Sequence, residues 1–400
     1  IFENLPHLMI KSTTNAFSEF IKSEQASGVI LIVCVIASLI IANSGANQSF
    51  ANLLSFKFGY ESSTIQLNYS LLNWVNDGLM AIFFFLIGLE IKNEIIGGHL
   101  SSFKIAAVPI FAAVGGAVVP ALIYFAFNHR QATSAGWAIP MATDIAFALG
   151  VLSLLGKLVP PALKVLLSTL AVVDDLLAIV IIAIFYSTTL HWLYLAIGGG
   201  IFLLLLLMNK LGVKPLVFYI IPGIVLWYFI HHSGIHATIA GVLTALAIPV
   251  SSQKGPILEK LAHQLNTPVN FIIMPVFALA NTNIHFQSNM VNGIMGVLGL
   301  GIILGLLFGK PIGVMLFAWL TVKFKIGSLP PQISWKHITG MGLLAGIGFT
   351  MSIFISLLSF GSSVQNTEAK FAILIASVVA GMVGFVYLKS VLTANKKSRH

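Results

Sequence analysis

The sequence predicts an all-α polytopic membrane protein with about twelve transmembrane helices, and three observations carry that prediction. Hydrophobic residues make up 58% of the 400 residues and charged ones only 8%, against about 25% charged in soluble domains, and the mean hydropathy is +0.97. Apolar runs of roughly 17 to 25 residues recur along the chain, each long enough to cross a bilayer as a helix. The basic residues, finally, fall on alternate loops.

The runs lie near 28 to 44, 70 to 91, 104 to 127, 135 to 155, 161 to 186, 191 to 209, 214 to 231, 235 to 250, 266 to 282, 295 to 320, 337 to 359 and 369 to 393. The first holds Cys34, the only cysteine, which excludes an intramolecular disulfide and a cysteine metal cluster. Ahead of it, residues 1–27 form an interfacial segment: Lys11 to Gln25 mixes charges with Phe17, Phe20 and Ile21, which predicts a helix lying on the membrane and no cleavable signal. The longest break after that, residues 47–69, reads as an external loop with a β-hairpin. Phe56, Phe58 and Tyr60 alternate with polar positions, Glu61 to Ser63 supply a turn, and Ile65 and Leu67 alternate on the return. An isolated hairpin is marginal in water, so Lys57 to Gln66 is expected to pair with a second subunit in a homodimer. No soluble domain can be cut out, and 1–400 is a single integral membrane unit.

Cytoplasmic loops carry the excess of Lys and Arg. With the N-terminus inside, seventeen of the 21 basic residues fall on internal segments and three, Lys57, Arg130 and Lys370, on external ones. Lys310 is left within the tenth run. Both termini are therefore expected in the cytoplasm. This topology accounts for the net charge of +9, and basic residues scattered over many loops exclude a nucleic-acid groove. No HExxH, Walker or GxGxxG pattern occurs, so neither a cofactor nor metalloprotease or nucleotide chemistry is implied.

Two runs are interrupted. The fourth contains Pro140 followed by Thr143 and Asp144, and the eleventh has Gly340, Gly342, Gly346 and Gly348 ahead of Phe349 and Thr350. Proline and glycine both weaken a helix interior. By the charge-derived topology, helices 3–5 begin inside and helices 10–12 begin outside, so two inverted units each have a broken middle helix. Unwound backbone at membrane depth is tolerated only where it is buried in protein or faces a watery cavity. Discontinuous helices in inverted repeats are the pattern of secondary transporters, with the substrate site at the midplane.

The acids locate that site. Asp174 and Asp175 sit in Leu170-Ala-Val-Val-Asp-Asp-Leu-Leu-Ala-Ile-Val180, with long apolar arms on both sides; a buried ionisable residue costs several kcal/mol and marks function by default. Adjacent helical positions point about 100° apart, so one carboxylate can line an ion cavity while the other takes a cationic partner. Burial and mutual repulsion work against two charges here, and a proton or a cation can offset one of them. Competition between proton and sodium at one carboxylate is the minimal physics of exchange. Thr143 and unwound carbonyls add the oxygen ligands that hard cations prefer. Asp144 and Lys310 have opposite charges suited to the half-helix ends of a crossing, with direct ion handling as the alternative role; Lys310 can also pair with Asp174 and surrender its proton when sodium binds. Glu90, Lys92 and Glu94, at the inner end of the second helix, face Glu259 and His263 at the start of the ninth, either as solvated helix ends or as a pH sensor. His236 lies near an outer helix start, as an interface residue or a further pH-responsive group.

Ala142-Thr-Asp-Ile-Ala-Phe-Ala-Leu-Gly150, Val173-Asp-Asp-Leu176, Gly88-Leu-Glu90, Ser233-Gly-Ile-His236 and Gly348-Phe-Thr-Met-Ser-Ile353 resemble the bacterial NhaA-type sodium/proton antiporters over nearly the whole chain. That family is itself a worked case of the inverted-repeat architecture invoked above. The resemblance implies an electrogenic exchanger of the inner membrane that expels Na+ or Li+ for a larger number of H+ and is activated at alkaline pH. It implies Asp174 and Asp175 as the ion-binding pair, Thr143 and Asp144 as crossing residues, Lys310 as cationic partner, and Glu90, Glu94 and His236 as pH-response positions. Asn93 departs from the family pattern, which often has arginine there, and Glu259 to Pro268 contains extra residues. Two rivals differ in class. A sodium-coupled organic solute symporter would need a further deep cationic group, and an intramembrane aspartyl protease would need a Gly-x-Gly ahead of an aspartate that neither Asp144 nor Asp175 has.

Overall fold

The computed structural model describes residues 24–397 apart from 63–65, 99, 101–102, 188, 253–254 and 287–289. The interfacial segment expected over 1–27 lies largely outside them. Among the described residues, six helices are long and apolar enough to cross a membrane, or eight if two bent pairs each count as one span.

The chain starts with α1 (Glu24–Ala42), which turns through 111° into α2 (Asn47–Ser55). The sequence reading had no helix over 47–55. Phe50, Leu53 and Leu54 fall at the i, i+3, i+4 spacing of an amphipathic helix, and Leu54 is buried, but so short a polar segment carries no span-length signal. The strands that follow are two residues each, β1 (Lys57–Phe58) and β2 (Tyr69–Ser70), with Lys57 opposite Ser70 and Phe58 opposite Tyr69. Glu61 bridges Gln66 further out, and the Leu67 backbone N–H donates to the Tyr60 carbonyl at 2.9 Å; Ile65 lies outside the described residues. The Trp74 indole donates to the Phe58 carbonyl at 3.1 Å and seals the hairpin to the helix below it.

A π-helical turn, Trp74–Leu79, leads into α3 (Met80–Ile96), and α4 (Phe103–Asn128) follows. A 3-10 segment, Ser134–Met141, and α5 (Ile145–Ser153) are the two halves of the first broken span. Then come α6 (Pro161–Phe185), α7 (Trp192–Lys210), α8 (Val217–His232), α9 (Thr238–Ala247) and α10 (Ile257–Pro268). A π turn at Val269–Ile273 precedes α11 (Met274–Asn281), and α12 (Met290–Met295) and α13 (Val297–Leu304) run to a third π turn, Gly305–Gly309. After α14 (Lys310–Lys323), the second broken span is α15 (Trp335–Ala345) and α16 (Phe349–Phe360), bent by 46°. The last helix is α17 (Val364–Lys397).

Two buried clusters organise these helices. The larger joins α3, α4, α6, α11 and α14 to both broken spans. The smaller gathers α7, α8 and α9 on the other face of α3, where Phe85 and Leu89 belong to it. Close backbone approach fastens α14 to α4: a Cβ on Gly313 or on Gly115 would fall on the other residue's carbonyl. Small residues at such contacts let membrane helices pack where no hydrophobic force drives them together. The result fixes the depth of Lys310, whose stem passes Gly116.

Candidate ion site at the helix crossing

The broken spans meet at their extended stretches. Ala142 and Asp144 leave the helical region, with ψ of 148° and 100°, and the Asp144 backbone N–H donates to the Ile347 carbonyl of the other span at 2.7 Å. The Thr143 hydroxyl donates to the carbonyl of Ala345, the last residue of α15, at 2.9 Å. Each break thus satisfies groups that the other leaves open.

Four helix ends converge here, and two charged side chains serve three of them, the C-terminal end of α15 taking the Thr143 hydroxyl instead. Asp144 is the N-cap of α5, with Oδ1 accepting from the Phe147 N–H at 3.0 Å. Its Oδ2 accepts from the Thr350 N–H at 3.1 Å and the Thr350 hydroxyl at 2.5 Å, and Thr350 is the second residue of α16. One carboxylate therefore serves two helix N-termini, where negative charge is favoured. Lys310 does the converse: its ammonium donates to the carbonyl of Met141, at the C-terminal end of the 3-10 segment. It also forms an ion pair of 2.6 Å with Asp174 Oδ2, both side chains being buried. Thr143 also lies beside the Asp174 carboxylate.

Asp175 has a different setting. It is 1% exposed, yet neither of its carboxylate oxygens has a hydrogen-bond partner among the described residues. The carboxylate lies at the inner limit of a cavity of about 750 Å³, which Asp144 and Thr350 also line. Glu90, Asn93 and Glu94 of α3 and His263, Asn266, Thr267 and Asn270 from α10 and its π turn line the mouth. A cavity lined by carboxylates and amides that reaches an unpaired carboxylate suits a small cation that is losing its water.

The other residues singled out in the sequence lie apart. Lys92 turns away from the cavity and donates to the carbonyls of Leu246 and Ile248 at 2.6 Å each, capping the C-terminal end of α9. Glu259 is exposed on α10. His236 sits toward the hairpin end, its Nε2 donating to the Tyr186 carbonyl at 2.8 Å. Sequence reasoning quoted Thr350 only as part of a motif and missed its contact with Asp144. The available signal was its position, a hydroxyl two residues beyond the last glycine of a break and so in the first turn of a new helix.

The family model for Na+/H+ antiporter 1 matches residues 18–388. An antiporter from Flavobacterium johnsoniae, Na(+)/H(+) antiporter NhaA 2, is 60% identical over 376 residues, covering 94% of this chain and 92% of the relative. The NhaA 1 antiporter of Clostridium beijerinckii is 45% identical over 388 residues, 96% of this chain and 97% of its own. The NhaA antiporter of Helicobacter pylori is 44% identical over 427 residues, 95% and 97% of the two chains. The chain belongs to the Na+/H+ antiporter 1 family.

Proposed function

We propose that this chain, as a member of that family of transporters, exchanges Na+ or Li+ for H+ across the bacterial inner membrane, with Asp175 as the carboxylate for which the ions compete. The observation that carries this reading is the pair of orphan Asp175 oxygens at the end of a polar cavity. A cation arriving there finds a carboxylate with no competing donor, and the Asp144 carboxylate beside the same space. Thr143 holds the crossing from the side of Asp174. A proton binds the same Asp175 oxygens in place of the cation, so loading one ion releases the other.

Orientation follows from the loop charges: both termini and the cavity mouth are cytoplasmic. The structure then corresponds to an inward-open state. Alternating access is rocking of the crossing unit against its surroundings, and Asp144 and Lys310 keep charge compensated at the helix ends they meet as it moves. More than one proton per sodium makes the cycle electrogenic, and the membrane potential then contributes about 2.3 kcal/mol per charge per 100 mV. Glu90, Glu94 and His263 at the mouth are the groups through which pH acts, a deprotonated mouth concentrating cations and a protonated one repelling them. Lys92, Glu259 and His236 would act on this response only through the packing of α3, α9 and α10.

We further propose a homodimer through the hairpin around Lys57 to Gln66, in which a second copy covers the exposed Phe56, Phe58 and Tyr60.

The test is transport by the purified chain in proteoliposomes. Sodium or lithium added outside should dissipate a preformed pH gradient, and a potassium-diffusion potential alone should drive sodium uphill. A pH gradient indifferent to both ions rejects the antiport, and absence of uphill movement rejects electrogenicity alone.

A further inference from the structure

Beyond the crossing, toward the hairpin, lies a second polar pair that the inward cavity does not reach. Asn281, the last residue of α11, is 1% exposed. Its amide nitrogen donates to Asn76 Oδ1 at 2.7 Å and to the Phe277 carbonyl at 3.0 Å. Its own carbonyl oxygen, Oδ1, is buried with no hydrogen-bond partner among the described residues. A buried amide oxygen without a donor is costly, and the cost recurs here at a point of specific geometry. Asn76 sits in the π turn Trp74–Leu79, a departure from regular helix that tends to accompany functional positions. The two amides come from α11 and the segment leading into α3, and both elements also line the inward cavity, through Met274 and Phe83. Seven residues separate each lining position from its asparagine, about 10 Å along a helix.

Between the two levels stands an aromatic layer. Phe354 of α16 packs on Phe84 of α3 with ring centroids 5.5 Å apart, and on Phe277 of α11 at 6.3 Å. All three rings are at most 2% exposed. Phe277 and Phe354 fall about one turn along α11 and α16 from the cavity-lining Met274 and Thr350, and Phe277 lies between Met274 and Asn281 in the chain. On a path from Asp175 to the hairpin face along α3, α11 and α16, a cation passes these rings and reaches the oxygens of Asn281 and Asn76. Neutral amide oxygens suit such a stop: they replace water around a hard cation but hold it more weakly than a carboxylate.

We propose that Asn281 and Asn76 form an outer way-station for the transported monovalent cation, occupied when the aromatic layer of Phe84, Phe277 and Phe354 parts. Asn281 Oδ1 is the principal ligand and Asn76 Oδ1 the second, freed when the Asn281 amide turns from it. The inference rests on the antiport reading, because only a transported cation has reason to cross the layer.

The experiment is sided exchange with oriented proteoliposomes, measuring half-saturating sodium separately at the hairpin face and at the cavity face. Asn281→Ala should raise the half-saturating concentration at the hairpin face about tenfold and leave that at the cavity face within twofold, while Asn281→Asp should restore the outer value. Asn76→Ala, on a half-buried residue outside the α11 helix end, should shift the same face in the same direction by a smaller factor, so the result does not hang on one variant's folding. Equal shifts at both faces, or none at either, would overturn the way-station. Wild-type protein that exchanges no sodium from either face would overturn the antiport reading as well, an outcome distinct from loss of sidedness in the variants.

Discussion

Asp174 and Asp175, neighbours on α6, look into two regions with opposite physical character. On the side of Asp174 the carboxylate is buried and paired: Lys310 holds it at 2.6 Å and reaches the Met141 carbonyl, and α14 is locked to α4 glycine against glycine. On the side of Asp175 there is a cavity, a polar mouth and two unpartnered oxygens. The same residue type is thus paired in one place and unpartnered in the other, and one helical step of about 100° makes the difference. A buried charge is tolerable when it is paired, and it is useful for transport when its pairing is left to a mobile ion.

The contrast can be broken by removing partners. Lys310→Met leaves Asp174 buried without its cation, and loss of one member of a buried pair costs about 3–5 kcal/mol; a clear fall in the thermal unfolding midpoint in detergent is expected, and an unchanged midpoint would show that the pair is not buried against the fold. Next, Gly313→Val should destabilise by about 1–3 kcal/mol through overpacking against α4, with Lys310 displaced and exchange reduced along with stability. Neutralising the acids sharpens the comparison further. Asp174→Asn should lower the midpoint, whereas Asp175→Asn should leave it unchanged or raise it, by about 1 kcal/mol, because an unpaired buried charge is removed; equal destabilisation by both would erase the distinction drawn here. The smallest effect belongs to Lys92→Met, which loses the cap on two carbonyls at the end of α9, about 1 kcal/mol or less, with the loss visible as faster hydrogen exchange at Ile248 to Ser251 and little change at the crossing.

Much of this was legible because the membrane makes polar residues conspicuous. Asp144, Asp174, Asp175 and Lys310 stand out in apolar runs, and the proline and glycines of the fourth and eleventh runs mark the breaks that bring them together. Asp174 was legible as a candidate partner of Lys310, but the choice between it and Asp175 depends on the rotation of α6 about its axis, which is set by packing with α4 and the crossing. Thr350 was hidden for a similar reason: its hydroxyl matters only because α16 starts at Phe349. The π turns at Trp74, Val269 and Gly305 have no compositional signature. Lys92 looked like part of a charged mouth, and only the position of the α9 carbonyls turned it aside.

The central claim is that Asp175 is where sodium and protons compete. Sodium-induced dissipation of a pH gradient in proteoliposomes, compared between wild type and Asp175→Asn at equal incorporation and with the variant's unfolding midpoint at or above that of wild type, tests it directly. The account predicts full loss of sodium-dependent dissipation in a well-folded variant. Undiminished exchange by Asp175→Asn would contradict it.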